Sequence, residues 1–125
     1  MMNTEKEILI IDDDSRNIFA LTAVLKAKKY QCISAVSAVK GLELLEENKN
    51  IGAVLMDMMM PEMDGYEAIG KMKSNTALQK IPVIAITAQA MTGDREKCLE
   101  AGADGYISKP VNVDELLVLI KKLID

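Results

Sequence analysis

The chain has 125 residues, 50% of them apolar and 27% charged, which suits one ordinary globular domain over residues 1–125. A net charge of −4 without a run of Lys or Arg argues against direct nucleic-acid binding. No apolar stretch is long enough for a bilayer, so the expected location is cytoplasmic, away from membrane. Histidine is absent, which excludes imidazole metal sites, Ser–His and Cys–His nucleophiles, and a phosphohistidine formed within these residues.

Ile8-Leu9-Ile10-Ile11 is a continuous apolar run suited to a strand buried on both faces, and it ends on Asp12-Asp13-Asp14-Ser15. Ile18, Leu21, Thr22 and Leu25 then mark a helix to about Lys28, with Asp14 or Ser15 as N-cap. Cys32 to Ala35 predicts a second strand, and Ser37 caps a helix carrying Val39, Leu42 and Leu45 and ending near Glu46-Glu47-Asn48. The third strand, Ala53 to Met56, delivers Asp57; a Met-rich turn follows, broken by Pro61 and by Asp64-Gly65. Asp64 caps a third helix through Tyr66, Ile69 and Met72. Pro82 opens the fourth strand, which ends on Thr87, and a weaker helix from about Met91 to Glu100 stops at Gly102. Tyr106 to Ser108 is a short fifth strand closed by Lys109-Pro110. Asn112 and Glu115 resemble a capping box for a last helix with Val113, Leu116, Leu117, Ile120 and Ile124 facing inward. Cys32 and Cys98 lack metal-ligand spacing and are expected to be buried free thiols.

Strict strand–helix alternation predicts an α/β fold: a doubly wound five-stranded parallel sheet, flavodoxin-like, in the order 2-1-3-4-5. The functional crevice of such a sheet lies at the carboxyl ends of the strands. There this sequence puts Asp12 and Asp13, Asp57, Thr87 and Lys109. Three carboxylates brought together repel by roughly 4 kcal/mol per pair at about 4 Å and an effective dielectric near 20, so raised pKa values or a cation must compensate. With oxygen ligands alone, the fitting ion is Mg²⁺. Acids for a metal, a lysine, a hydroxyl and one well-placed carboxylate make a site for phosphoryl transfer, and the carboxylate itself can be the nucleophile.

These residues and their surroundings resemble the receiver domain of two-component response regulators. The carriers are Ile10-Ile11-Asp12-Asp13, the stretch from Val54 to Gly65, Ile84-Ala85-Ile86-Thr87-Ala88, and Gly102 to Pro110. The resemblance implies that Asp57 is the phosphoacceptor for a histidine kinase or histidine phosphotransfer domain. It implies Mg²⁺ held by Asp12, Asp13, Asp57 and the Met59 backbone carbonyl. Thr87 becomes the switch hydroxyl, helped by the Ala88 N–H; Lys109 pairs with the phosphoryl group, and the Lys109-Pro110 bond is expected to be cis. Tyr106 turns between outward and inward rotamers as Thr87 shifts. The face of the fourth helix, fifth strand and fifth helix would then engage an output partner or a second copy. Met59 and Gln89 are the positions that tune phosphoryl lifetime, and a long-lived acyl phosphate is expected. Asn17, Ile18 and Leu21 are candidates for donor contact. The segment Asp13 to Leu21 and the Met-rich run look more like receivers attached to hybrid histidine kinases. The last helix ends the chain, so no output domain is expected within it.

Two rival readings carry less. A phosphatase of the haloacid dehalogenase type would place its nucleophile at Asp12, but it needs a later acidic pair and room for a cap. A flavodoxin-like scaffold without phosphorylation would be expected to have lost acids or the lysine, and none is lost.

Overall fold

Residues 6–88 and 93–124 are described by the structure, a computed structural model. The elements in chain order are β1 (Glu7–Ile11), α1 (Ser15–Ala27), β2 (Gln31–Ala35), α2 (Ala38–Glu47) and β3 (Ile51–Asp57). They continue with α3 (Gly65–Lys73), β4 (Val83–Thr87), α4 (Asp94–Ala101), β5 (Gly105–Ser108) and α5 (Val113–Ile124). All strand pairs are parallel and the sheet order is β2-β1-β3-β4-β5, the flavodoxin-like arrangement expected. The chain reverses direction across the sheet between β1 and β3, which puts the carboxyl ends of those strands at the crevice.

The apolar runs are continuous because the sheet is covered on both faces. Leu9, Ile11, Val54, Met56, Val83 and Ala85 face one core with Ala38 and Leu45 of α2, Ile69 and Met72 of α3, and Cys98 of α4. Ile8, Ile10, Leu55, Ile84, Ile86 and Ile107 face the other, with Leu21 and Leu25 of α1 and Leu116 and Ile120 of α5. With few aromatics, methionine fills the first core: Met56, Met58 and Met72 are fully buried.

Caps set the helix starts. Asp14 accepts from the Arg16 N–H, Ser37 Oγ from the Lys40 N–H, Asp64 from the Glu67 N–H, and Asn112 Oδ1 from the Glu115 N–H. Leu116 and Ile120 of α5 are buried as expected and Leu45 of α2 is buried too, but an apolar residue near the start of each of these helices is exposed. Val39 is 46% exposed, because α2 buries Ala38, Gly41 and Leu45 instead. The helix leans on β1 at Gly41, where a Cβ would meet the Ile11 side chain. Val113 is 40% exposed, since it begins α5 at the rim, above the layer formed by Leu116 and Ile120. Both cysteines are free, but Cys32 is only half-buried on the edge strand. The expected start of the fourth helix at Met91 lies outside the described residues; its end at Gly102 is as expected.

Candidate functional site

The carboxyl rim brings Asp12, Asp13 and Asp57 together. Each contributes an oxygen, and these atoms all lie within 4.8 Å of one another. Asp12 and Asp57 are buried, whereas Asp13 is exposed. Asp12 is held from both sides: its Oδ1 accepts from the Asp14 N–H at 2.8 Å and its Oδ2 from Asn17 Nδ2 at 3.3 Å. Asp57 Oδ1 accepts from the Met59 N–H at 3.1 Å. Lys109 reaches over the cluster, its Nζ 3.7 Å from Asp12 Oδ2 and 3.8 Å from Asp57 Oδ2.

This environment leaves Asp57 poorly solvated as an anion. Burial raises its carboxyl pKa from the ordinary 3.8 to about 6. The Met59 N–H and Lys109 pull the value back, while Asp12 and Asp13 push it further up. Oxygen donors only, an excess of negative charge and one lysine at ion-pair limit suit a hard divalent cation better than a buried salt bridge.

The loop after β3 is shaped by Gly65. Its N–H donates to the Met58 carbonyl at 3.2 Å, and a Cβ there would lie 2.7 Å from Met58 Cα and 3.1 Å from the Asp57 carbonyl oxygen. The start of α3 can therefore press against the residue next to Asp57 only without a side chain. Asp104 has a structural role: its N–H and carboxylate both engage the Val83 backbone, at 2.7 and 2.9 Å, setting β5 beside β4.

Thr87 closes β4, fully buried, and its carbonyl accepts from the Lys109 N–H at 2.8 Å. Tyr106 pairs with Ala85 in the sheet register, and Thr87 with Ser108. By strand alternation, Thr87 and Tyr106 share the α2–α3–α4 face of adjacent strands. Ala88 is exposed, and Met59 is 49% exposed above the rim. The Lys109-Pro110 bond is cis. Gln89 lies outside the described residues. Ile18 is half-buried, and Leu21 belongs to the core while lining a cavity beside the cluster.

Three residues carry more than the sequence suggested. Asn17 orients Asp12, a role legible in its place one turn into α1 from the acidic run. Tyr66 and Asp94 join Tyr106 in a hydrogen-bond network, Tyr66 Oη donating to Asp94 Oδ1 at 3.1 Å and Tyr106 Oη to Oδ2 at 2.9 Å. Nothing in their spacing signals that contact, which depends on how α4 sits.

Comparison with known proteins agrees with this architecture. The response regulator receiver domain family matches residues 8–121. The polar-differentiation response regulator DivK of Brucella ovis is 35% identical over 116 residues, 93% of this chain and 94% of that protein. Among solved structures, the receiver domain of a Pseudomonas aeruginosa sensor histidine kinase, with magnesium coordinated in its active site cleft, is 32% identical with a TM-score of 0.86. It is covered over 97% of its length and covers 95% of this chain. The signal receiver domain of a Syntrophus aciditrophicus histidine kinase is 31% identical with a TM-score of 0.87, over 95% of this chain and 89% of that one. The chain belongs to the response regulator receiver domain family of two-component signal transduction.

Proposed function

We propose that residues 1–125 form a phosphoacceptor receiver domain in which Asp57 takes a phosphoryl group from a phosphohistidine of a partner kinase or phosphotransfer domain. The observation that carries this reading is the oxygen cluster of Asp12, Asp13 and Asp57 within 4.8 Å, with Lys109 Nζ reaching both buried carboxylates. An Asp57 oxygen forms the new bond to phosphorus as the donor's nitrogen–phosphorus bond breaks. The electron pair stays on the imidazole nitrogen, which takes up a proton. Asp57 must be ionised to attack; burial raises its pKa to about 6 in the metal-free site, and a divalent cation bound there favours the carboxylate. Asp12, Asp13, Asp57 and the Met59 carbonyl would hold Mg²⁺, which neutralises negative charge developing on the phosphoryl oxygens. Lys109 neutralises charge on the product, and the Met59 N–H orients Asp57 for attack.

The donor docks beside α1. A cavity of about 310 Å³ opens next to Asp12 and Lys109, with Ala20, Leu21, Val24, Pro110 and Val111 among its lining. An apolar helical surface presenting a histidine fits this rim, and Phe19 on α1, 77% exposed, adds apolar surface to the same helix. Transfer is read out through Thr87 and the docked orientation of Tyr106, which together favour a partner on the α4–β5–α5 face. The phosphoryl group is long-lived, because Met59, two residues past Asp57, carries no group able to activate water. The two solved receivers described above belong to histidine kinases, whereas DivK is a response regulator. A hybrid kinase as the parent protein rests on the segment from Asp13 to Leu21 and the Met-rich run.

The test is intact mass after incubation with Mg²⁺ and acetyl phosphate. One added phosphoryl group, absent in Asp57→Asn and persisting for minutes or longer, is expected. Turnover without an adduct that is lost in Asp12→Asn would replace this reading with the phosphatase. Decay within seconds would overturn the lifetime.

A further inference from the structure

Asp94 is the first residue of α4 and is buried, 6% exposed, away from the acidic cluster. A buried carboxylate is costly unless its oxygens accept hydrogen bonds, and here each takes one phenol. Tyr66, from α3, donates to Oδ1 and Tyr106, from β5, donates to Oδ2. Tyr66 Oη also lies 3.7 Å from Cys98 Sγ, one turn along α4, and Lys97 Nζ sits 4.8 Å above the Tyr66 ring. Asp94 and Cys98 are the two buried residues of α4, and its N-cap, Gly93, makes no side-chain capping bond. This carboxylate–phenol latch therefore ties the start of α4 to α3 and β5.

We propose that Asp94 is the positioning residue of the switch: shared between Tyr66 and Tyr106, it holds Tyr106 docked and ties the α4–β5 face to α3. This rests on Asp57 being the phosphoacceptor and Tyr106 the responding aromatic, and adds the group that sets the docked orientation. If the Tyr106 ring swings away, Oδ2 loses its donor while remaining buried. If Tyr66 loses its hydroxyl, Oδ1 is left unpaired, α4 loosens, and Tyr106 is held less firmly although nothing has changed on β5. Linkage then requires that a ligand at Asp57 favouring docked Tyr106 bind more weakly when the latch is broken.

The experiment is ¹⁹F NMR of protein carrying 3-fluorotyrosine at Tyr30, Tyr66 and Tyr106, together with affinity for beryllofluoride in saturating Mg²⁺. Tyr66→Phe is expected to move the Tyr106 resonance toward that of free fluorotyrosine. Asp94→Ala should move it further and weaken beryllofluoride binding about 5-fold or more, the low end of typical coupling. Asp94→Asn should fall between wild type and Ala, because its amide oxygen accepts one phenol. Tyr66→Phe removes a single oxygen atom and keeps the test intact if Asp94→Ala does not fold. An unmoved Tyr106 resonance in Tyr66→Phe, or unchanged beryllofluoride affinity in both Tyr66→Phe and Asp94→Ala, overturns the latch. Absence of beryllofluoride binding to the wild-type protein would instead overturn the role of Asp57, leaving the latch to stand or fall on the resonance.

Discussion

Replacing Asp57 by Asn should make the protein more stable at neutral pH in the absence of divalent metal. Asp57 is buried beside Asp12 and Asp13, and its pKa rises from 3.8 to about 6. At about 1.4 kcal/mol for each tenfold change in the proton equilibrium, the ionised side chain costs at most about 3 kcal/mol. Asparagine keeps the acceptor for the Met59 N–H but gives up the Lys109 pairing, and the site at the rim is partly screened. A net gain of about 1–2 kcal/mol remains, roughly 4–8 °C in Tm for a chain of this size. The sign follows from linkage. A carboxyl whose pKa is raised on folding contributes no penalty below about pH 3.8; stability falls as pH rises from there to about 6 and is level above it. Urea denaturation of both proteins at several pH values between 4 and 8 should show curves that meet near pH 4, diverge up to about pH 6 and run parallel above it. An Asn variant less stable than wild type at pH 7.5 without metal would mean that Lys109 and Met59 outweigh burial, and the reasoning would fail.

Mg²⁺ should stabilise the wild-type protein by about 1.4 kcal/mol at ten times its dissociation constant, and this increment should disappear in Asp13→Ala; urea midpoints with and without MgCl₂ measure it. Gly65→Ala should cost about 2 kcal/mol or more, because the new Cβ collides with Met58 backbone; equilibrium denaturation checks this, and a near-neutral result would mean that α3 can withdraw. Lys29 closes α1 at a φ of 72°, with Tyr30 N–H donating to the Leu25 carbonyl and Lys29 N–H to that of Lys26. Lys29→Gly should therefore stabilise by up to about 1 kcal/mol in the same assay. Burial pushes the Cys32 thiol up to about 11 and raises that of Cys98, so a disulfide reagent at pH 8 should label both slowly in native protein and rapidly in urea.

Most of the fold was legible because each level of the sequence agreed with the next. Ile8 to Ile11 and Ala53 to Met56 have no polar face, so they must be covered on both sides, and Asp14, Ser37, Asp64 and Asn112 announce where the covering helices begin. The rim acids were legible for a related reason: a carboxylate ending an apolar strand has nowhere to go but the crevice. What periodicity could not give was which apolar residues near a helix start end up covered. Val39 and Val113 fit an apolar stripe equally well, yet Gly41 lets α2 lean toward Ile11, and the rim leaves Val113 lining the cavity beside Asp12 and Lys109. The same limit hid Asp94. In sequence it is one more acid in the first turn of a polar helix, favoured there by the dipole alone.

Asp57 and Asp94 show how differently one fold treats two buried acids. Asp94 has a phenol for each oxygen, so its burial is satisfied and it fastens elements together. Asp57 has one backbone N–H and a distant lysine against two neighbouring carboxylates, so its burial is left in deficit. A site in deficit is stabilised by whatever supplies positive charge, which is why a cation and a group able to use it should bind there. A satisfied carboxylate gains nothing from such a ligand and can instead hold Tyr106 to a fixed point. The energetic strain therefore sits at the rim, and the rigid reference that can register its relief sits one helix away, where Tyr106 of β5 meets the start of α4.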